Sequence, residues 1–283
     1  MANQNDKNFE VAASYYEKII CPAFNSSEFE FVYNFLMYHY FDQKNNSAFE
    51  SVKKLGKEIY PKSKYFDATE LDYILEMENE KDKIIRIEEK ILKEPKNYEV
   101  AQVYGKILFT SLNADSVNEN SPSYKSDENK MIELFTRTAE ALPEDGTSNY
   151  LIGSHYWNKS IRIKDQIDLI NDSVRVINSK AKPDKAGKIP PPPKNLIVQR
   201  DSLRTLQQSY LDMALPYDLK AISPIEKNST KGKNELQTYK HLVDQLIEIY
   251  SIKKQYAKLP ADKTKFEVEE KKWDALYTKI TEK

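Results

Sequence analysis

The sequence predicts an all-α fold built from antiparallel helix pairs, and three observations favour it. Apolar residues recur about every three or four positions along nearly all of the 283-residue chain, which is the spacing of amphipathic helices. The chain has six glycines, too few for a strand-and-turn fold, which uses glycine in its hairpins. Prolines follow successive apolar segments at Pro22, Pro61, Pro95 and Pro143. Since proline cannot continue a helix interior, they predict helix ends.

One helix junction is defined better than the others. Residues 131–143 form an apolar stripe that ends at a proline, and residues 152–156 then read Ile-Gly-Ser-His-Tyr. Residues 103–108, Val-Tyr-Gly-Lys-Ile-Leu, carry a similar glycine-centred pattern. These segments resemble the tetratricopeptide repeat family, whose repeat of roughly 34 residues pairs a Leu-Gly-x-x-Tyr helix with an Ala-x-x-x-Phe helix and a proline. In that family the glycine allows close helix packing.

The resemblance implies one domain over residues 1–283, a right-handed superhelical array of helix pairs, or α-solenoid. We expect two insertions, at 113–129 and 179–195, the second joining an extended helical pair, and a capping helix over 265–280. The four prolines at 190–193 favour a stiff spacer over a ligand for an aromatic groove. The first three pairs keep the periodicity but lack the glycine, so divergent helical repeats of another type stay open there.

A narrower resemblance rests on residues 210–217, Tyr-Leu-Asp-Met-Ala-Leu-Pro-Tyr. This segment is similar to one in the last repeats of exported Bacteroidetes tetratricopeptide proteins. We therefore expect a periplasmic or exported protein if a signal peptide was removed before Met1, and a cytoplasmic one otherwise.

The composition argues against several classes of protein. Lysine and arginine number 43 and aspartate and glutamate 44, so the chain lacks the basic excess by which nucleic-acid binders release counterions. Cys21 is the single cysteine, which excludes an intrachain disulfide. No apolar run approaches the roughly 18 residues of a membrane span, so we expect no transmembrane segment.

The sequence offers no catalytic motif. Its histidines, His39, His155 and His241, fall in separate predicted helices without a partner at metal-ligand spacing. His155 lies within a packing motif, where a structural role is favoured over catalysis. We expect no metal, no cofactor and no enzymatic activity.

Binding is the function for which residues can be named. The resemblance implies that the first helix of each pair lines a concave groove that holds extended peptides. The residues expected on that face are Gln102, Lys106, Phe109, Tyr150, Ser154, Trp157 and Asn158. The alternative interpretation, in which Trp157 and Phe109 pack inside the array, stays open.

The leading hypothesis is a non-enzymatic scaffold that binds a protein or peptide. The alternative is a small-ligand or glycan-binding component of an exported outer-membrane system, motivated by the aromatic-rich first helices. A coplanar pair of exposed rings would favour glycan, and a long polar groove would favour peptide. A regulatory subunit acting through oligomerisation is a third hypothesis. Lys106 is the one evident basic candidate for the family's carboxylate clamp, so that clamp is not expected.

Overall fold

The computed structural model describes residues 6–21, 26–115, 117–182, 190–227 and 231–282. Within these residues it contains eleven α-helices, two short 3₁₀ helices and no β-strand, which confirms the all-α prediction. No helix in the described ranges combines the length and the apolar character that crossing a bilayer requires. The chain divides into two compact units, Met1–Lys96 and Asn97–Lys283.

The described residues of the first unit form five α-helices and the two 3₁₀ helices; α2 packs on α3, α4 packs on α5, and α1 and α4 each contact α2. Asparagine and threonine side chains cap the starts of α3, α4 and α5 by accepting hydrogen bonds from backbone N–H groups. The helices are α1 (Asp6–Ile19), α2 (Glu30–Asp42), α3 (Asn46–Ile59), α4 (Glu70–Leu75) and α5 (Glu80–Lys93).

Aromatic rings fill the centre of this unit. Tyr33, Phe49 and Phe66 are each at most 2% exposed, and Tyr33 meets Phe66 edge to face with ring centroids 6.2 Å apart. The Phe66 ring lies against Gly56 of α3, in space that a Cβ would occupy. The sequence interpretation gave no helix-packing glycine to this part of the chain, so it missed the role of Gly56.

The second unit consists of six helices. Its successive pairs are α6 with α7, α8 with α9, and α10 with α11, and further contacts join α6 to α8, α7 to α8, and α9 to α10. The bounds are α6 (Tyr98–Leu112), α7 (Pro122–Ala141), α8 (Thr147–Lys180), α9 (Lys194–Lys227), α10 (Lys233–Tyr256) and α11 (Pro260–Thr281).

Helices α8 and α9 are an extended antiparallel pair of 34 residues each. Their contacts define the direction: Gly153 faces Asp218, and Gln207 donates to the backbone oxygen of Ser160 at 3.4 Å. The residue number therefore falls along α9 as it rises along α8. Ala214 and Ala221 of α9 are fully buried. Small side chains such as these allow two helices to lie close together.

The two expected insertions differ in extent from their sequence bounds. Within the segment 113–129, α7 begins at Pro122 and the side chain of Ser121 caps it. Proline suits this first position because the N–H that it lacks has no partner in the first turn of a helix. Between Lys180 and Lys194 the chain leaves α8 and enters α9, and residues 183–189 lie outside the described range. The expected terminal helix is longer than 265–280, because α11 begins at Pro260.

Gly105 of α6 allows close packing of α7. A Cβ at this position would lie 2.6 Å from Cε1 of Phe135, and that ring is completely buried, so it has no room to move away. Tyr104 and Leu108, also buried, flank the contact on α6.

We therefore expect Gly105→Ala to lower the free energy of unfolding by about 1–3 kcal/mol through overpacking. Gly232 provides a matched control, because a Cβ there meets nothing within 4 Å. Chemical denaturation of both variants, followed by helical circular dichroism, measures the difference. Equal effects of the two substitutions would show that the Phe135 contact is not tight.

Candidate functional site

A pocket of about 220 Å³ opens in the second unit, and five of its lining residues come from α6 and α8. They are five of the seven residues that the resemblance places on the binding face: Phe109, Tyr150, Ser154, Trp157 and Asn158. Tyr150, Ser154 and Trp157 follow one another at helical spacing, so a single face of α8 presents all three.

Helix α10 supplies the other side of the pocket, which the sequence interpretation missed. His241, Asp244 and Glu248 are exposed there, while Gln245 is buried. These four positions follow the i, i+3, i+4, i+7 pattern of one helix face. That polar stripe, beside the apolar stripe of the same helix, is the signal that could have identified them.

Trp157 and Phe109 are both half-buried and both line the pocket. Trp157 is half-buried and packs against the cluster of Leu211, Ala214 and Ile249, while it also lines the pocket. Phe109 is half-buried as well. Neither the groove-facing position nor the packed position inside the array is therefore a complete description of these two residues.

Gln102 and Lys106 do not line the pocket. The Gln102 amide nitrogen donates to Asp145 Oδ2 at 2.7 Å, and Lys106 Nζ donates to Gln102 Oε1 at 3.1 Å. Burial raises the pKa of Asp145, but hydrogen bonds from Thr147 and Gln102 and the charge of Lys106 outweigh it, so the net pKa is lowered. Both residues thus serve the connection between α7 and α8.

Asn113 holds the pocket residue Asn158 in place. Its Oδ1 accepts from Asn158 Nδ2 at 3.1 Å, and its own Nδ2 donates to the backbone oxygen of Phe109 at 2.7 Å. The same Nδ2 lies 3.3 Å from Nδ1 of His155. Because an amide nitrogen only donates, the His155 Nδ1 accepts, and its Nε2–H donates to Glu128 at 2.8 Å.

His155 is therefore a structural residue of a buried network. Glu128 Oε1 accepts from both His155 and Lys159, the latter at 2.7 Å. Burial alone would raise the pKa of Glu128, but the hydrogen bonds from His155 and Lys159 and the charge of Lys159 lower it to about 2. The network ties α7 to α8, and His155, Glu128 and Lys159 are not among the residues that line the pocket.

A buried carboxyl group lies beneath the pocket. Asp218 of α9 is completely buried, and its Oδ2 accepts from Gln245 Nε2 at 2.7 Å. Its Oδ1 has no hydrogen-bond partner and fills the space left by the missing side chain of Gly153. Burial raises the pKa of Asp218 from 3.8 to about 8, against a smaller lowering by Gln245. The carboxyl group is therefore protonated at neutral pH.

A second pocket, of about 580 Å³, lies in the first unit between α2 and α4. Its exposed aromatic side chains are Phe31, Tyr38 and Tyr65, between 55% and 60% exposed. The rings of Tyr38 and Tyr73 lie 6.5 Å apart at an interplanar angle of 43°, so they are not coplanar.

No protein-family model matches this sequence, and no curated protein matches it. Within the described ranges, no group of three or more histidine, cysteine, aspartate or glutamate residues is placed to hold a metal ion.

The protonation of the buried Asp218 side chain predicts how the stability of the fold depends on pH. Between about pH 4 and about pH 8 the folded chain keeps this proton while the unfolded chain releases it, so the free energy of unfolding falls as the pH rises. Asp218→Asn, which resembles the protonated acid, should remove that part of the slope. We expect the variant to be more stable than the parent at pH 8 and similar at pH 4. If the free energy of unfolding depends on pH in the same way in the parent and in Asp218→Asn, the raised pKa of Asp218 is contradicted.

Proposed function

We propose that this chain is a non-enzymatic scaffold that binds an extended segment of a partner protein against the first helices of tetratricopeptide-like pairs. The proposal rests on which helices supply the residues that line the pocket. Every described lining residue comes from α6, α8 or α10, the first helices of three successive pairs. In a tetratricopeptide array, first helices form the concave binding surface.

We also propose that the helix pairs form a right-handed superhelical array, and the pairing of helices in the second unit is compatible with such a repeat. A tetratricopeptide repeat packs each first helix on its own second helix and on the first helix of the next repeat. Here α6 packs on α7 and also on α8, and α7 packs on α8. Gly105 and Gly153 both lie at close approaches between helices, as the family pattern requires of its glycines.

The size of the pocket favours an anchor residue over a complete small ligand. Sites for drug-sized molecules measure roughly 300–1,000 Å³, whereas this pocket measures about 220 Å³. A single side chain fits such a volume, and the rest of a bound peptide would run over the neighbouring helices. The amide of Asn158, held by Asn113, is placed at the pocket to pair with a peptide backbone.

Trp157→Ala tests this proposal. The indole is the largest side chain among the lining residues. We therefore expect the immobilised variant to capture at least tenfold less partner from a native extract than the immobilised parent chain does. Mass spectrometry identifies the partner, and helical circular dichroism checks that the variant folds. Tyr38→Ala, in the other pocket, is the matched control and should capture as much partner as the parent. Equal capture by all three chains would contradict the proposal.

The second candidate is the binding of a glycan or small ligand in the pocket of the first unit. The observation that favours it is the group of exposed rings, Phe31, Tyr38 and Tyr65, around a volume suited to such ligands. Aromatic faces of this kind can stack on the apolar faces of sugar rings. The tilt between Tyr38 and Tyr73 is against this candidate, since a coplanar pair was its expected signature.

Tyr65→Ala separates this candidate from the first. If the pocket binds glycan, retardation of the chain in gels that contain soluble polysaccharides should be lost in Tyr65→Ala and kept in Trp157→Ala. If none of the polysaccharides retards the parent chain, glycan binding by the pocket of the first unit is ruled out.

A further inference from the structure

We propose that the pocket between α6, α8 and α10 receives the cationic end of a lysine or arginine side chain from the bound peptide. This inference rests on the proposed peptide-binding function and specifies its chemistry. It follows from the charge, the ring faces and the hydrogen-bonding groups of the lining residues.

Two carboxylates line the pocket. Asp244 and Glu248 are one helical turn apart on α10, exposed, and without an ion-pair partner among the described residues. No described lining residue is a lysine or an arginine. Lys164 lies near enough to interact with Glu248 electrostatically, but its Nζ is paired with Asp168 at 2.9 Å. Two adjacent carboxylates repel each other, and a cation placed between them removes that repulsion.

The aromatic residues of the pocket suit a cation as well. Phe109, Tyr150 and Trp157 line it from α6 and α8, while the carboxylates come from α10. Ring faces attract lysine and arginine head groups, and tryptophan does so most strongly. The chain makes such contacts internally, since Lys159 Nζ lies 4.8 Å from the ring centroid of Tyr210. Carboxylates from α10 and rings from α6 and α8 together suit an organic cation.

The buried polar groups of the pocket offer acceptors. Gln245 commits its amide nitrogen to Asp218, which leaves its carbonyl oxygen to accept. Ser154, 8% exposed, has a buried hydroxyl without a hydrogen bond of standard geometry; it lies beside the phenol of Tyr150. An ammonium brings three donors and no acceptor, and a guanidinium brings five. The lining groups therefore match the hydrogen-bonding capacity of these two side chains.

The same features disfavour other side chains. An acidic or phosphorylated residue would meet two carboxylates of like charge. An aliphatic residue would cover Asp244 and Glu248 without pairing them, which carries a desolvation cost. Arginine and lysine also have apolar stems that can lie along the rings while their head groups reach the acceptors.

Selection from a displayed random dodecapeptide library on the immobilised full chain tests the inference. We expect the enriched peptides to share a lysine or an arginine. Replacing that residue by norleucine in a synthetic copy should weaken binding at least tenfold. Asp244→Asn and Glu248→Gln should each weaken it about tenfold, while Asp274→Asn, an exposed carboxylate on α11 outside the pocket, should leave it unchanged.

Three outcomes would overturn the inference, and they differ in what they say of the proposed function. Enriched peptides that lack a shared basic residue, yet lose binding to Trp157→Ala, would refute the cationic anchor and leave peptide binding standing. Basic peptides that Asp274→Asn weakens as much as Asp244→Asn would indicate general charge attraction away from the pocket. Failure to enrich any peptide on the folded parent chain would count against the proposed function and the inference together.

Discussion

The contact between Gly153 and Asp218 is the constraint on which the second unit depends. Because residue 153 has no side chain, the carboxyl group of α9 lies directly against α8. Gln245 of α10 donates to that carboxyl group at 2.7 Å, so one polar contact joins three helices. It also sets the geometry of the pocket, since Tyr150 and Ser154 precede and follow Gly153 while Asp244 and Glu248 flank Gln245.

Burying a carboxyl group at this junction is tolerated because the group is not charged at neutral pH. Ionised, it would lie without a counter-ion in an apolar interior, at a cost of several kcal/mol; burial instead raises its pKa to about 8. The negative charge of the region thus belongs to the exposed carboxylates of α10 and faces the pocket.

The sequence determined the helical elements well because they depend on local patterns. The apolar periodicity, the prolines and the glycines at 105 and 153 are all visible within one or two helical turns. The neighbours of those glycines were not visible, because Phe135 and Asp218 come from other helices. Asp218 did leave a local trace, since it occupies the same face of α9 as the buried Ala214 and Ala221. An acidic residue on a small-residue face signals a buried polar contact.

The candidate site was predictable on one side only. The family pattern supplied the α8 face, but α10 lacks the glycine signature, so its polar stripe was not assigned to the same surface. Asn113 was placed in a loop insertion, whereas it fixes Asn158 at the pocket.

The most direct measurement of the central claim is the indole N–H signal of Trp157 in a nitrogen–proton correlation spectrum. The chain has two tryptophans, and Trp273, 5% exposed in α11, serves as the internal reference. Adding N-acetyl-lysine methylamide should shift the Trp157 signal in a saturable way and leave Trp273 unchanged, while N-acetyl-norleucine methylamide should shift neither. Equal shifts with both compounds, or none with the lysine compound, would contradict the cation-binding pocket.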